Sequence, residues 1–293
     1  MKITDIKTYK IEGKLKEPFW WGNGGNDKRT AALVKIETDE GISGWGEGWG
    51  GEHIVENTLK PVIMGKNPFQ REKLWSEMFN ALNNALLYLG LGGSAVSAVD
   101  IALWDIVGKK LGVPISDLLG GKVKDKVQTY ATGLYYTKKD FKEEVSERIK
   151  EASRYEKKGF NAMKIKVGAL DLEEDLERVR QVKNSLSNKT RLMVDANQAY
   201  DLRTAKYVSD RLSEMDIFFF EEPLMGLDVN GYKELVRYSK VRISGGESLR
   251  TRYQFLDFIN SHGFDIIQPD VGNVGGITEF KQVQSLAYAN GIH

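Results

Sequence analysis

The sequence predicts an α/β protein in two parts: a small α+β domain over residues 1–125, then a run of βα units over residues 126–293. Three observations carry this expectation. In the first part, alternating strands come first and a helical stripe follows. From about residue 127, short apolar runs alternate with polar amphipathic stretches of helical length. The chain of 293 residues is also longer than one small core organises, and its 41% hydrophobic content supplies a sizeable interior.

In the first part, residues 2–12 alternate apolar and polar, as do AALVKIE (31–37) and ISGWGE (42–47). The intervening TDEG is a hairpin turn signal. Residues 94–112 carry apolar side chains at 96, 99, 103, 106 and 107, a helical stripe; Lys109 and Lys110 fall in its last turn, and Gly112 follows. In the second part, strands are expected at 127–133, 162–168, 191–197, 217–223, 242–247 and 265–270. Helices are expected at 139–158, 171–184, 201–212 and 275–290. Successive βα units require a parallel sheet with crossover helices, and both an open doubly wound sheet and a (β/α)8 barrel fit that pattern.

The bulk chemistry narrows the function. Lys+Arg total 42 against 41 Asp+Glu, a balance that offers neither a nucleic-acid footprint nor an acidic-lipid anchor. The absence of cysteine excludes disulfides, thiolate nucleophiles and cysteine zinc sites, and fits a cytoplasmic chain. The opening MKITDIKTYKI lacks the apolar core of a signal peptide. No uninterrupted apolar run approaches the ~18 residues of a membrane span, so a soluble protein without membrane partners is expected.

The chemistry lies at the strand ends. Each of five consecutive expected strands finishes on an ionisable residue: Lys166, Asp195, Glu221, Glu247 and Asp270. In a closed barrel these ends meet around one mouth. A single acid there ordinarily caps the next helix or pairs with a surface lysine. Three acids on consecutive units (Asp195, Glu221 and Glu247) repel one another unless a cation neutralises them, and all-oxygen ligands suit Mg²⁺. Lys164 and Lys166 share one face of the strand before them. Lysine stems packed on the helix layer would be unremarkable. Beside a carboxylate ring the inward reading prevails, and a second ammonium with a nearby dication would lower the pKa of Lys166 toward that of a base.

Asp270 is followed by Gly272, Gly275 and Gly276, a tight turn rather than the dinucleotide fingerprint, though glycines before a helix can also cradle phosphate. Asp270 would cap that turn or orient a histidine on a neighbouring strand. His53, His262 and His293 have no metal spacing, and His262 reads as a helix-end residue. The Gly- and Trp-rich stretches FWWGNGGND (19–27) and GWGEGWGGEH (44–53) are either solvated hairpin loops or a lid over the mouth.

Assembled, these residues resemble the enolase superfamily, specifically its mandelate racemase subgroup. The motifs are SAVDIALWDIVGKKLGVPISDLLGG (97–121), KIKVG (164–168), VDAN (194–197), EEP (221–223), GES (246–248) and QPDVGNVGGITE (268–279). The resemblance implies an α+β capping domain on a modified TIM-type barrel. It implies Mg²⁺ held by Asp195, Glu221 and Glu247, binding a substrate carboxylate and stabilising an enediolate. Lys166 would move the proton α to that carboxylate, Lys164 would polarise it, and Asn197 and Trp20 would contact substrate. Asp270 within QPD is similar to the subgroup that pairs this aspartate with a histidine on the next strand, so cycloisomerases, which carry a lysine there, are expected to be less similar. AYANGIH stands where strand seven should begin, so the C-terminal strands and the dyad histidine are expected beyond His293, itself too early to fill that role. The implied activity is dehydration of a sugar acid to a 2-keto-3-deoxy acid by a homo-oligomer. A racemase or epimerase is the alternative, and a catalytically silent truncated member the third.

Overall fold

The computed structural model describes residues 1–83 and 88–292. The N-terminal part is an antiparallel sheet in the order β1 (Ile3–Trp21), β2 (Gly24–Thr38), β3 (Ser43–Gly48). The first hairpin is far longer than the alternation of residues 2–12 and 31–37 indicates. Its pairing continues to Trp21 opposite Gly24, with a register shift between Lys14 and Phe19. Residues 13–30 are mostly exposed, so pairing there leaves no alternating burial signature.

Helical segments follow: α1 (Glu52–Ile54), a π-helical turn (Val55–Leu59), α2 (Lys60–Ile63), α3 (Arg71–Asn83), a second π-type segment (Tyr88–Gly92), α4 (Gly93–Leu111) and α5 (Ile115–Leu118). Tyr88–Leu111 is long and apolar enough to cross a membrane by length and composition, which corrects the expectation that no segment approaches that size. However, 78% of its most apolar window is buried. Ala95, Val96, Val99, Ala102 and Leu103 pack with Ile3, Ile6, Val34 and Ile36 of the sheet. Gly44 and Gly46 of β3 let that helix approach: a Cβ on Gly46 would lie 1.9 Å from the Ala98 carbonyl oxygen.

The second part is a six-stranded parallel sheet in sequential order: β4 (Ala131–Thr132), β5 (Ala162–Lys166), β6 (Arg191–Asp195), β7 (Phe219–Glu221), β8 (Arg242–Gly245) and β9 (Ile266–Ile267). Crossover helices α6 (Phe141–Lys157), α7 (Leu172–Ser185), α8 (Leu202–Glu214), α9 (Val229–Tyr238) and α10 (Arg252–Ser261) alternate with the strands, and α11 (Gly276–Ala289) follows. Helices α6 to α10 start where a capping side chain accepts a backbone N–H: Asp140, Asp171, Asp201, Asp228 and Thr251. His262 sits in the left-handed conformation at the end of α10, as expected of a helix-end residue.

Helix α11 begins at Gly275, which has no capping side chain. The N-terminal part supplies one: Ser97 Oγ accepts from Gly275 and Gly276 N–H, and Asp100 accepts from Thr278 N–H at 2.9 Å. The phosphate-cradle alternative for these glycines therefore falls, because their N–H groups are already satisfied. Gly276 has a φ of 83, and a Cβ there would lie 2.4 Å from Asp100 Oδ2. Gln268, just past β9, donates to Glu221 on β7. It also meets Tyr130, just before β4. The sheet edges thus curl toward one another around a lumen.

Candidate active site

The register of the sheet assembles the site. Lys166 pairs with Asp195, and Asp195 with Glu221, so the last residues of β5, β6 and β7 form one lateral row. Alternation does the rest: Met163, Ile165 and Val167 enter the core under the helices. Lys164 and Lys166 turn the other way and are still buried. Both ammoniums are held in ion pairs. Lys166 Nζ lies 2.5 Å from Asp195 Oδ2, and Lys164 Nζ lies 3.0 Å from the same oxygen and 2.6 Å from Glu221 Oε1. Lys166 also donates to Asn197 Oδ1 at 2.8 Å.

The two lysines therefore share a carboxylate rather than facing each other bare. Burial opposes the Lys164 ammonium, but Asp195 and Glu221 outweigh it and push its pKa up. Burial likewise opposes the Asp195 anion, and the two ammoniums overcome it and hold Asp195 below its ordinary range. Burial and the neighbouring Asp195 charge push Glu221 up to about 7, against the pull of Lys164 and Gln268. Burial, Glu222 and Asp195 push Glu247 up to about 7.

Two expected strand-end residues stand elsewhere. β8 stops two residues before Glu247 and β9 three before Asp270, so both lie in the following loops. The row continues from Glu221 to Ser244 instead. No hydrogen bond or ion pair reaches the Glu247 carboxylate among the described residues. Asp270 accepts Gly272 N–H at 2.7 Å, which is the turn-capping role, and is not in contact with the lysine cluster among the described residues. His293 lies outside the described residues. Trp20 also misses the cluster: it lines a cavity of ≈ 640 Å³ with Trp21, Tyr136 and Phe141, and Lys138 Nζ sits 4.8 Å from its ring centroid.

The hairpin that carries Trp20 nevertheless reaches the mouth. Gly22 packs so closely on Val167 and Ala196 that a Cβ would lie 2.9 Å from the Ala196 carbonyl oxygen, and Asn23 donates to the Asn197 carbonyl. Residues 19–27 are thus a strand hairpin seated on the barrel, not a solvated loop. Sequence reading missed several mouth residues. Tyr130 and Tyr135 present ring faces to Lys164 and Lys166 at 5.8 and 5.4 Å. Glu222 is held by Gln198 and Ser248. Asn197, Gln198 and Glu222 all have positive φ, a strained backbone concentrated at the strand ends. The adjacent acids of EEP were the available signal for Glu222, which follows the last residue of β7.

The donors suit a hard dication: they are oxygens, two of the carboxyls are disfavoured as anions, and Ser244 Oγ and Gln268 Oε1 are buried without partners. The carboxylates are nonetheless not gathered as a ligand set: no group of three acids or histidines stands at metal-binding separation among the described residues. The Lys164 ammonium occupies the place of positive charge between Asp195 and Glu221, and Glu247 stays apart.

The comparisons agree with this architecture. Residues 3–120 match the family described as mandelate racemase / muconate lactonizing enzyme, N-terminal domain, and residues 147–293 match the enolase C-terminal domain-like family. The chain is 36% identical over 295 residues to D-galactarolactone cycloisomerase of Agrobacterium fabrum, covering 100% of this chain and 77% of that protein. It is 35% identical over 311 residues to arabinonate dehydratase of Saccharolobus solfataricus, covering 99% and 79%. A crystal structure of a racemase from Streptomyces coelicolor A3(2) with bound magnesium superposes with a TM-score of 0.92 at 33% identity, covering 99% of this chain and 82% of that one. A cycloisomerase at 36% beside a dehydratase at 35% corrects the expectation that cycloisomerases are the less similar relatives. With both parts of the chain matched, and the lysine and carboxylate motifs at adjoining strand ends, this chain belongs to the mandelate racemase/muconate lactonizing enzyme family of the enolase superfamily.

Proposed function

We propose that the protein removes the proton α to a sugar-acid carboxylate in a Mg²⁺-dependent reaction, with loss of the β-hydroxyl as water to give a 2-keto-3-deoxy acid. The observation that carries this reading is the buried contact of Lys166 with Asp195 and Asn197 beside Lys164 and Glu221, at the C-terminal ends of adjacent parallel strands. Dehydratases among the relatives support the outcome: arabinonate dehydratase, and D-galactonate dehydratase of Ralstonia pickettii at 30% identity.

Asp195, Glu221 and Glu247 would hold the metal, which when bound would supply positive charge to the substrate carboxylate. Lys166 is the base. It takes the α-proton on its Nζ. Lys164 donates to the substrate carboxylate, and Asn197 orients Lys166 through its side-chain oxygen. The hairpin seated by Gly22 and Asn23 excludes water from the mouth.

The test is incubation of the purified protein with Mg²⁺ and a panel of aldonic and aldaric acids in D₂O, monitored for keto product and α-deuterium. Product formation with at least one acid is expected. Exchange with stereoinversion and no keto product would reassign the protein as a racemase or epimerase. Calorimetric Mg²⁺ binding with neither product nor exchange on any acid would make it catalytically silent.

A further inference from the structure

Behind the mouth lies a second ionic cluster that this chemistry does not use. Arg178 on α7 is 0% exposed and the largest side chain so enclosed. Burying a guanidinium is expensive unless its donors are satisfied, and an apolar residue would fill the space at less cost. Its partners are the buried carboxylates of Glu144, 3.5 Å from Nη1, and Asp175, 3.8 Å from Nε, together with backbone groups around the proposed base. Nη2 donates to the carbonyl of Lys166, and Nη1 donates to the carbonyl of Leu134 at 3.4 Å. Leu134 itself has a φ of 53. The guanidinium stacks 4.1 Å from the ring centroid of Tyr136. Asp175 accepts the Tyr136 hydroxyl at 2.5 Å and the N–H of Gly168 at 2.7 Å. Tyr136 then meets the hairpin: its backbone and that of Trp20 exchange two hydrogen bonds of 3.0 Å. The hairpin also touches the strand end directly, since Gly22 packs on the Val167 carbonyl.

We infer that Tyr136, Asp175 and Arg178 form a positioning network that locks the backbone of Lys166 and the turn at 168–170 to the Trp20 hairpin, so that base orientation and hairpin seating are set together. None of the three touches the reacting atoms. The inference rests on the reading of Lys166 as the base, but its physical content is the coupling of two segments distant in sequence, which is measurable without turnover.

The experiment uses Tyr136→Phe, which keeps the ring on Arg178 and the backbone bridge to Trp20 while removing the hydroxyl. Amide hydrogen exchange of the intact protein is the first readout. Loss of the buried bond to Asp175 should speed exchange about fivefold in both 19–25 and 164–170, with the sheet elsewhere unchanged. Arg178→Lys, which retains a donor toward the Lys166 carbonyl, should loosen the same two segments to a smaller extent. Where α-hydrogen exchange on a substrate is observed, Tyr136→Phe should lower kcat about tenfold with KM changed by less, and with Mg²⁺ affinity unaltered. Loosening of only one segment, uniform loosening of the whole fold, or unchanged kcat in an active protein would overturn the inference. Absence of activity in the unmodified protein would instead count against the assignment of Lys166 as base, leaving the exchange result to decide the coupling.

Discussion

Two of the buried polar clusters among the described residues are built on opposite terms. At the seam between the N-terminal part and α11, acids meet matched donors. Asp100 takes the Thr278 N–H at 2.9 Å and its hydroxyl at 2.6 Å, and Glu279 is paired with the guanidinium and backbone N–H of Arg252. Trp75 and Trp104 add indole donors to Gly275 and Thr278. At the mouth, two ammoniums share one oxygen of Asp195, Glu247 stands without a bonded partner among the described residues, and Ser244 Oγ and Gln268 Oε1 are orphaned. A satisfied cluster joins parts. An under-satisfied one, surrounded by positive-φ residues, is poised for something that is not protein.

The largest effect separating the clusters should come from Lys166→Met. At the mouth it should lower turnover about 10³-fold. Asp195 keeps Lys164 as partner, so the melting temperature should move little. A variant that unfolds instead would place the mouth among the structural clusters. The seam should behave in reverse. Unfolding of Glu279→Gln in urea should show a loss of about 3 kcal/mol, because Arg252 loses its anionic partner and Glu279 is fully buried. Its activity per folded molecule should stay close to that of the parent. A specific loss of kcat at full stability would give the seam a functional role.

The pH dependence offers a finer discrimination. Burial pushes the Asp100 carboxyl from its ordinary 3.8 up to about 7, despite the Thr278 hydrogen bonds. The folded state therefore holds a proton that the unfolded chain has released. Stability from this group is complete below about pH 4, falls as pH rises toward 7, and is then level. The fall is on the order of 4 kcal/mol if nothing compensates. Asp100→Asn should flatten stability across that window in denaturant titrations at successive pH values. An unchanged slope would mean that Arg71 and the helix N-terminus keep Asp100 ionised in the fold.

Much of this was legible from residue order. The βα rhythm, the two-part division and the lysine and carboxylate motifs depend on local periodicity, and a strand exposes its period of two wherever one side is buried. The pairing of Lys164 with Lys166 on a single face follows from that period alone. Strand-end position was legible for Lys166, Asp195 and Glu221, which share a register row. It failed for Glu247 and Asp270, because β8 and β9 stop where hydrogen bonding stops, and apolar runs do not mark that point.

The extension of the first hairpin to Trp21 was hidden because its outer strands face solvent on both sides. Long-range partners were also out of reach. That Ser97 and Asp100 cap a helix starting at Gly275 depends on two segments meeting across 178 residues of chain. That Trp20 is tied to Tyr136, and Tyr136 through Asp175 to the turn beyond Lys166, depends on packing and not on spacing. Local order can specify which side chains share a strand face, because covalent geometry sets the alternation. Which charges neutralise one another is settled by burial, since only a desolvated ammonium must find its carboxylate within hydrogen-bond reach.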